Sequence, residues 1–470
     1  VDIHGGGLTA AVATWVAELR LDAIPEQVQE LGIRHLLDTV GVTLAGATEP
    51  LSLILQADAQ LQGGAAQANV LGTRLRLPLA LAARLNGAAA HALDYDDTQL
   101  AERPDRVSGL LMHPSAPVYP AALAMAEHTG ASGEAFLTAY LAGVEVACKL
   151  AEAANPRLYA AGFHTTGVVG CLGAAVAAAK LLWAAPDVIA RALSLAAAMA
   201  GGLREQFGTM TKPWHAGRAA ENGVTAALLA ARGYTAAPNI LEAERGFFHA
   251  YADGYDPAAV HERLGNPWTF ARPGIALKLA PSGSLTHPAL DAMLDLVHKY
   301  DLRPEQVVRI DVGVSRYMTS ALLHPRPQTA LEAKFSLPYA IAIALLDRAS
   351  GLAQYSEERV HQPDIAAVLE RITVAIDPAV EASGFHQMTT RVRVTLHDGR
   401  TLETTASSAR GHPQRPFSRE MLLTKFRDCA GRVLPAEQID RLIAAIEAIR
   451  TAPTVRHLVT EATPEERPIT

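Results

Sequence analysis

His91-Ala-Leu-Asp94-Tyr-Asp96-Asp97-Thr98 places three carboxylates, an imidazole and two hydroxyls within eight residues. It follows the mostly apolar, small-residue run from Leu79 to Ala90. Ala favours helix, whereas Asp disfavours it because its side chain competes for nearby backbone groups. The two stretches together predict a helix and, at its end, a turn that other groups must stabilise. Three more polar segments share this character: His113-Pro-Ser-Ala-Pro, Gly162-Phe-His164-Thr-Thr-Gly167 and Gly208-Thr-Met-Thr-Lys212-Pro-Trp-His215. Each precedes a long apolar helical pattern. These four segments, with Lys278 later in the chain, are expected to line one active site.

At 470 residues the chain is too long for one ordinary core, and two or three domains are expected. Hydrophobic residues make up 49% and aromatics only 5%, so the core must be built from Ala, Leu and Val. That favours closely packed helices over a sandwich, which wants more β-branched and aromatic side chains. The net charge of -7, without a basic block, argues against nucleic acid as a partner. Cys148, Cys171 and Cys429 are far apart and form no C-x-x-C pair, so neither a disulfide framework nor a zinc site is expected. The opening residues lack the basic and apolar regions of a signal peptide. The uncharged run Gly167 to Ala179 is too short to span a bilayer. The expectation is a soluble, cytoplasmic protein with no membrane partner.

Two helices are predicted between Leu8 and Ala47, from apolar residues at helical spacing. Further helices are predicted over Pro78 to Ala92, Val118 to His128, Gly133 to Ala154, Gly167 to Trp183, Pro186 to Ala200 and His215 to Arg232. The texture changes after Pro267-Trp268. Val307 to Val314 and Arg371 to Ile376 alternate apolar and polar residues as half-buried strands do. Thr389 to Leu396 and Thr401 to Thr405 flank His397-Asp398-Gly399-Arg400, a strong hairpin signal. Helices are expected between these strands, at Pro288 to Lys299 and Lys334 to Leu346, and again at Ser418 to Ala430 and Pro435 to Arg450. The fold class is therefore mainly α with an inserted α+β domain. The boundaries are 1–269 with 409–457 for the helical domain, 270–408 for the insertion, and 458–470 for a frayed tail.

The carboxylate cluster has a bland alternative, a capped helix end with solvated aspartates. Its ligand types with His91 suit a hard or borderline cation, but neither an H-E-x-x-H nor an EF-hand spacing is present. His113, held between Met112 and Pro114, and His164, beside Thr165 at a helix start, suit hydrogen bonding or proton transfer near neutral pH. Amides and hydroxyls at such a helix start also suit an anion. Lys212 and Lys278 fit a carboxylate-bearing ligand, against the alternative of solvated surface lysines. No Gly-rich nucleotide loop and no acyl nucleophile motif is evident. The chemistry suggested is proton abstraction next to a carboxylate, followed by elimination, decarboxylation or reprotonation.

HALDYDDT, HPSAPV, GFHTTG, FGTMTKPWHAGRAAENG, KLAPSGSLTHPALDAM, EAKFSLPYAIAIALLD and KFRDCA, in this order over nearly the whole chain, resemble the MmgE/PrpD family. Its members include 2-methylcitrate dehydratase, cis-aconitate decarboxylase and iminodisuccinate epimerase. The resemblance implies an all-helical domain built from both chain ends, an inserted α+β lid domain, and a site in the cleft between them. It also implies a homodimer that needs no metal or organic cofactor. On the residues matching the decarboxylase pattern, it implies His113 and His164 as acid/base groups, with Asp94 and Thr98 orienting substrate or histidine. Lys212 and Lys278 would hold substrate carboxylates, with Thr165, Ser282 and His287 as further contacts.

The connection from Gln99 to Met112 is longer than that pattern expects, and the wall near Ser282 and Ser284 differs. The activity implied is a cofactor-independent lyase acting on a small di- or tricarboxylate by dehydration or decarboxylation. Its rivals are an epimerase or isomerase of a dicarboxylate, a non-catalytic carboxylate-binding protein, and a metal hydrolase.

Overall fold

The computed structural model describes residues 7–103, 106, 112–384 and 387–465. The chain forms two compact units. The first holds the described residues of Val1–Gln99, Leu111–Ile275 and Leu422–Thr470, and the second those of Leu100–Leu110 and Ala276–Met421. The long 99–112 connection lies mostly outside the described residues.

In the first unit the main helices are α1 (Leu8–Glu18), α2 (Glu26–Gly46), α3 (Pro50–Gln62), α4 (Leu79–Ala92) and α5 (Ser115–Thr129). They are followed by α6 (Gly133–Ala154), α7 (Thr165–Lys180), α8 (Pro186–Met199) and α9 (Thr211–Ala231). Small residues let these helices approach closely. A Cβ on Gly46 of α2 would lie 2.0 Å from the Ala89 carbonyl oxygen of α4. One on Gly217 of α9 would lie 2.4 Å from the Arg84 carbonyl oxygen of the same helix. Helix α4 is thus clamped on two sides, which fixes the direction in which its C-terminal end delivers Asp94 to Thr98. No single helix among the described residues is long and apolar enough to cross a membrane.

In the second unit the helices are α10 (His287–Tyr300) and α11 (Leu337–Leu346). They accompany β1 (Val307–Val314), β2 (Ile372–Ile376), β3 (Thr390–Leu396) and β4 (Thr401–Ala406), in the sheet order β2-β1-β3-β4. β1 and β2 are parallel, so the chain must cross over between them, and α11 lies in that crossover. β3 and β4 are antiparallel neighbours joined through Gly399, whose φ of 85° suits glycine at a hairpin turn. On β3, Val392, Val394 and Leu396 are buried between more accessible Arg391, Arg393 and Thr395. The alternation seen in the sequence is therefore that of a one-face-buried sheet. Near the C-terminus α12 (Arg419–Ala430) and α13 (Ala436–Glu447) follow, and Ser418 Oγ accepts from the Met421 amide at 3.1 Å.

Three helices begin before the point predicted for them. α5 starts at Ser115 rather than Val118, α7 at Thr165 rather than Gly167, and α9 at Thr211 rather than His215. Apolar periodicity cannot show a first turn built of Ser, Thr, Lys and Pro. Lys212 consequently sits inside the first turn of α9, not ahead of it. The expected frayed tail, 458–470, is corrected at its start, while 466–470 lie outside the described residues. Arg456–Glu461 is a helix with Leu458 and Val459 buried, and Gln438 Nε2 donates to the carbonyls of Glu461 and Thr463 at 2.9 and 2.7 Å. Two apolar anchors and a buried amide hold what Pro-, Thr- and Glu-rich composition made look loose.

The clamp on α4 is testable. Gly217→Ala should lower stability by about 1–3 kcal/mol through overpacking, read as a lower urea midpoint at unchanged m. A wild-type midpoint would show that α4 and α9 have room to part.

Candidate active site

Helix α4 ends at Ala92, and Asp94 lies in the left-handed region with φ 50°. Asp tolerates that conformation better than most residues. The turn that follows is buried: Asp94 is 4% exposed, Thr98 1%, and Asp96 and Asp97 not at all. Buried carboxylates need partners, and each has them. Lys212 Nζ donates to Asp94 Oδ1 at 2.7 Å. His91 Nδ1 lies 2.9 Å from both oxygens of Asp96. Asp97 receives His35 Nδ1 at 2.9 Å, the Ser115 amide at 3.1 Å and the Ser115 hydroxyl. Since the Ser115 proton goes to Asp97, Tyr140 donates its own hydroxyl to Ser115 Oγ at 2.6 Å.

The other chain end supplies a further support. Lys425 of α12 donates to the Tyr95 carbonyl at 2.8 Å, pairs with Asp38 at 2.7 Å, and sits 3.8 Å from the Tyr95 ring centroid. Burial raises the Asp38 pKa above the ordinary carboxylate value, and Lys425 acts against that rise.

Four imidazoles gather beside this turn. Ring centroids are 4.5 Å apart for His91 and His113, 5.8 Å for His91 and His164, and 5.4 Å for His164 and His215. His113 Nδ1 is 2.9 Å from the Asp97 carbonyl oxygen. A carbonyl can only accept, so Nδ1 carries the proton and the neutral ring has its lone pair on Nε2. That nitrogen is 3.9 Å from Asp94 Oδ1. The His113 amide donates to Thr166 Oγ1 at 3.1 Å, and Thr98 Oγ1 lies 3.5 Å from His113 Nδ1, at the outer edge of hydrogen bonding.

His164 is the N-cap of α7, and its amide donates to the Gly202 carbonyl at 3.0 Å. Burial, first, and then the Lys212 charge and the neighbouring imidazoles push its pKa well below the usual histidine value. His215 is pushed down to about 4 by burial and by Lys212. Thr165, in the first turn of α7, keeps a buried Oγ1 with no hydrogen-bond partner among the described residues.

The first unit therefore brings together Asp94, Thr98, His113, His164, Thr165 and Lys212. Lys278, Ser282 and His287 belong to the second unit. Lys278 is buried. Ser282 is fully buried, with its hydroxyl 2.8 Å from Thr286 Oγ1. His287 donates from Nε2 to the Ser282 carbonyl at 3.2 Å and accepts the Leu279 amide at Nδ1 at 3.3 Å. Both ring nitrogens contact the backbone of the 279–282 loop. His35 and Lys425 were not singled out from the sequence; His91 and Asp97 were weighed there only as cation ligands, and His215 only as part of the Lys212 segment. A usable signal was present for His35, which lies three residues before Asp38 on a helix whose Ile33, Leu36, Leu37 and Val40 are apolar.

One donor atom each from His91, Asp94, Asp96 and His113 lies within 4.8 Å of the others, a spacing that could hold a cation. Such a cation would have to compete with the Lys212 ammonium for Asp94 and with His91 for Asp96. The arrangement as it stands is suited to proton transfer and to holding an anion beside Lys212, Thr165 and the start of α7.

Comparison with known proteins gives the same class. Residues 10–259 match the MmgE/PrpD N-terminal domain and residues 280–451 the MmgE/PrpD C-terminal domain. The chain belongs to the MmgE/PrpD family and is a lyase of that family. Among its relatives, the cis-aconitate decarboxylase of Homo sapiens is 30% identical over 94% of this chain and 91% of its own length. The cis-aconitate decarboxylase of Mus musculus is 28% identical, covering 94% and 90%. That of Aspergillus terreus (strain NIH 2624 / FGSC A1156) is 28% identical, covering 94% of each chain.

The support from the far chain end yields a prediction. Lys425→Met leaves the Asp38 carboxylate buried without its ammonium and should cost about 3–5 kcal/mol at neutral pH. An acid whose folded pKa is raised binds more protons folded than unfolded, so its unfavourable effect shrinks as pH falls through that pKa. Urea unfolding should show the deficit narrowing on acidification. A deficit that is absent at neutral pH, or that grows with acid, contradicts the pairing.

Proposed function

We propose that this protein is a metal-independent carboxy-lyase for a small tricarboxylate of the cis-aconitate type. The observation that carries this reading is the buried juxtaposition of Lys212, paired to Asp94, with His164 at the N-cap of α7 and His113 across the His91 ring. Its support from relatives is that those named above are cis-aconitate decarboxylases over nearly their full length.

Decarboxylation of such an allylic substrate breaks the bond between a CH2 carbon and its carboxylate. That electron pair forms a new C=C bond, and the pair of the old C=C takes a proton at the carbon beside another carboxylate. The enzyme must therefore hold the retained carboxylates, leave the departing one poorly solvated, and deliver one proton. Lys212 and the unpartnered Thr165 hydroxyl suit the first task, beside the amides at the start of α7.

His164 suits the delivery. Burial and then the Lys212 charge, which depress its pKa, make it a strong acid once protonated, and an arriving polyanion raises that pKa and so recruits the proton. After transfer His164 returns to the neutral state its surroundings favour. His113, with its lone pair fixed on Nε2, is configured instead to take a proton, the step that dehydration or isomerisation of a saturated substrate requires.

Proton NMR in D2O with cis-aconitate, citrate, 2-methylcitrate, malate, tartrate and iminodisuccinate tests the reading. Loss of one carboxylate from cis-aconitate, with one deuterium entering the product carbon, is expected. His164→Asn should slow it by about 10²-fold or more, and a chelator should not. Deuterium entering an α-carbon without carboxylate loss would replace the lyase with an isomerase. Binding without change in any compound would leave a non-catalytic carboxylate receptor.

A further inference from the structure

Nδ1 of His164 lies 3.2 Å from Nδ1 of His215, a residue of α9 one turn beyond Lys212. Two imidazole nitrogens at this distance share one proton, and its location decides what the opposite nitrogen of His164 can do. We infer that His215 is the positioning residue of His164: its Nδ1 accepts the hydrogen bond of the His164 Nδ1–H, leaving Nε2 of His164 to exchange protons with substrate. The assignment of a role to that proton rests on the function proposed above; the hydrogen bond itself does not.

Three observations support the pairing and its direction. First, a protonated His164 has hydrogens on both nitrogens, so it can face His215 only by donating, and His215 must then offer a lone pair. Second, the groups facing His164 are Lys212 and His215 on α9, His91 on α4 and His113 ahead of α5, with the Phe207 ring edge-on at 5.1 Å. Burial and the Lys212 charge push His215 down to about 4, so it is neutral at ordinary pH and one of its ring nitrogens carries a lone pair that can accept. Third, one turn of chain holds both rings. Gly202 accepts the His164 amide through its carbonyl, while a Cβ on Gly202 would meet Nδ1 of His215 at 3.1 Å.

The same logic operates at His113, whose Nδ1–H is tied to the Asp97 carbonyl. The acceptors differ in consequence. A carboxylate at the place of His215 would hold a proton on His164, whereas a neutral imidazole orients the ring without adding negative charge. An acid that must give up its proton is served by the second arrangement.

Nitrogen-15 NMR of histidine-labelled protein, with His164 assigned through H164Q, reads the inference without any substrate. In the wild type, His164 should carry its proton on Nδ1, with a pyridine-type Nε2. In H215F that preference should be lost, and kcat for the decarboxylation should fall by about 10²-fold while KM changes little. H215N, whose amide oxygen can accept in place of Nδ1, should recover the Nδ1–H form and much of the rate, and it serves if H215F does not fold.

A wild-type His164 protonated on Nε2, or identical His164 nitrogen signals in the wild type and both variants, would overturn the inference. If no carboxylate is turned over but the tautomer responds as stated, the proposed function fails and the positioning by His215 stands.

Discussion

Asp38, Asp94, Asp96 and Asp97 are all buried in the first unit, and the need to compensate them governs the structure around the site. An uncompensated carboxylate in such a place is costly enough to unfold a domain or to force protonation. The chain meets this with Lys425 on Asp38, Lys212 on Asp94, His91 on Asp96, and His35 with Ser115 on Asp97. These partners come from α2, α4, α5, α9 and α12, so helices distant in sequence must all be in place before the turn after α4 is stable. Breaking any one contact leaves a buried charge, which ties the integrity of the fold to the geometry of the site.

The compensation also divides the imidazoles. His113 is set among oxygens, with the Asp97 carbonyl on Nδ1 and Asp94 near Nε2. His164 is set among nitrogens, with Lys212, His91, His113 and His215 all disfavouring its charged form after burial itself. Two histidines only one ring apart thus meet opposite electrostatic surroundings, which sets their proton affinities apart. Close helix packing makes this possible. The glycine contacts that clamp α4 fix where Asp94 points, and α9 brings Lys212 and His215 to the same place on successive turns.

Much of this was legible in the sequence because its local signals were strong. The Ala-rich run ending in HALDYDDT announced both α4 and its end, and Asp-Gly between two alternating runs announced the β3–β4 hairpin. The polar segments that the first unit brings together were legible because clustered polar side chains stand out against otherwise apolar segments. What was not legible depends on contacts across the chain. The contacts of His287 with the 279–282 backbone depend on the loop folded over it, which no local pattern announces. His215 looks like one more helical residue until the Gly202 turn brings His164 against it. The starts of α5, α7 and α9 were missed because first-turn polar residues carry no apolar period, and the C-terminal helix because two buried apolar side chains outweigh a loose composition.

In the lyase proposed above, Lys212 and Asp94, bonded at 2.7 Å, act as one unit that presents a fixed ammonium to substrate. A double-mutant cycle on kcat/KM with Asp94→Asn, Lys212→Met and the pair tests it most directly. If the two act together, each single change costs about as much as both, with a coupling of about 1–3 kcal/mol. Losses that simply multiply, or a Lys212→Met enzyme with unchanged kcat/KM, would contradict the claim.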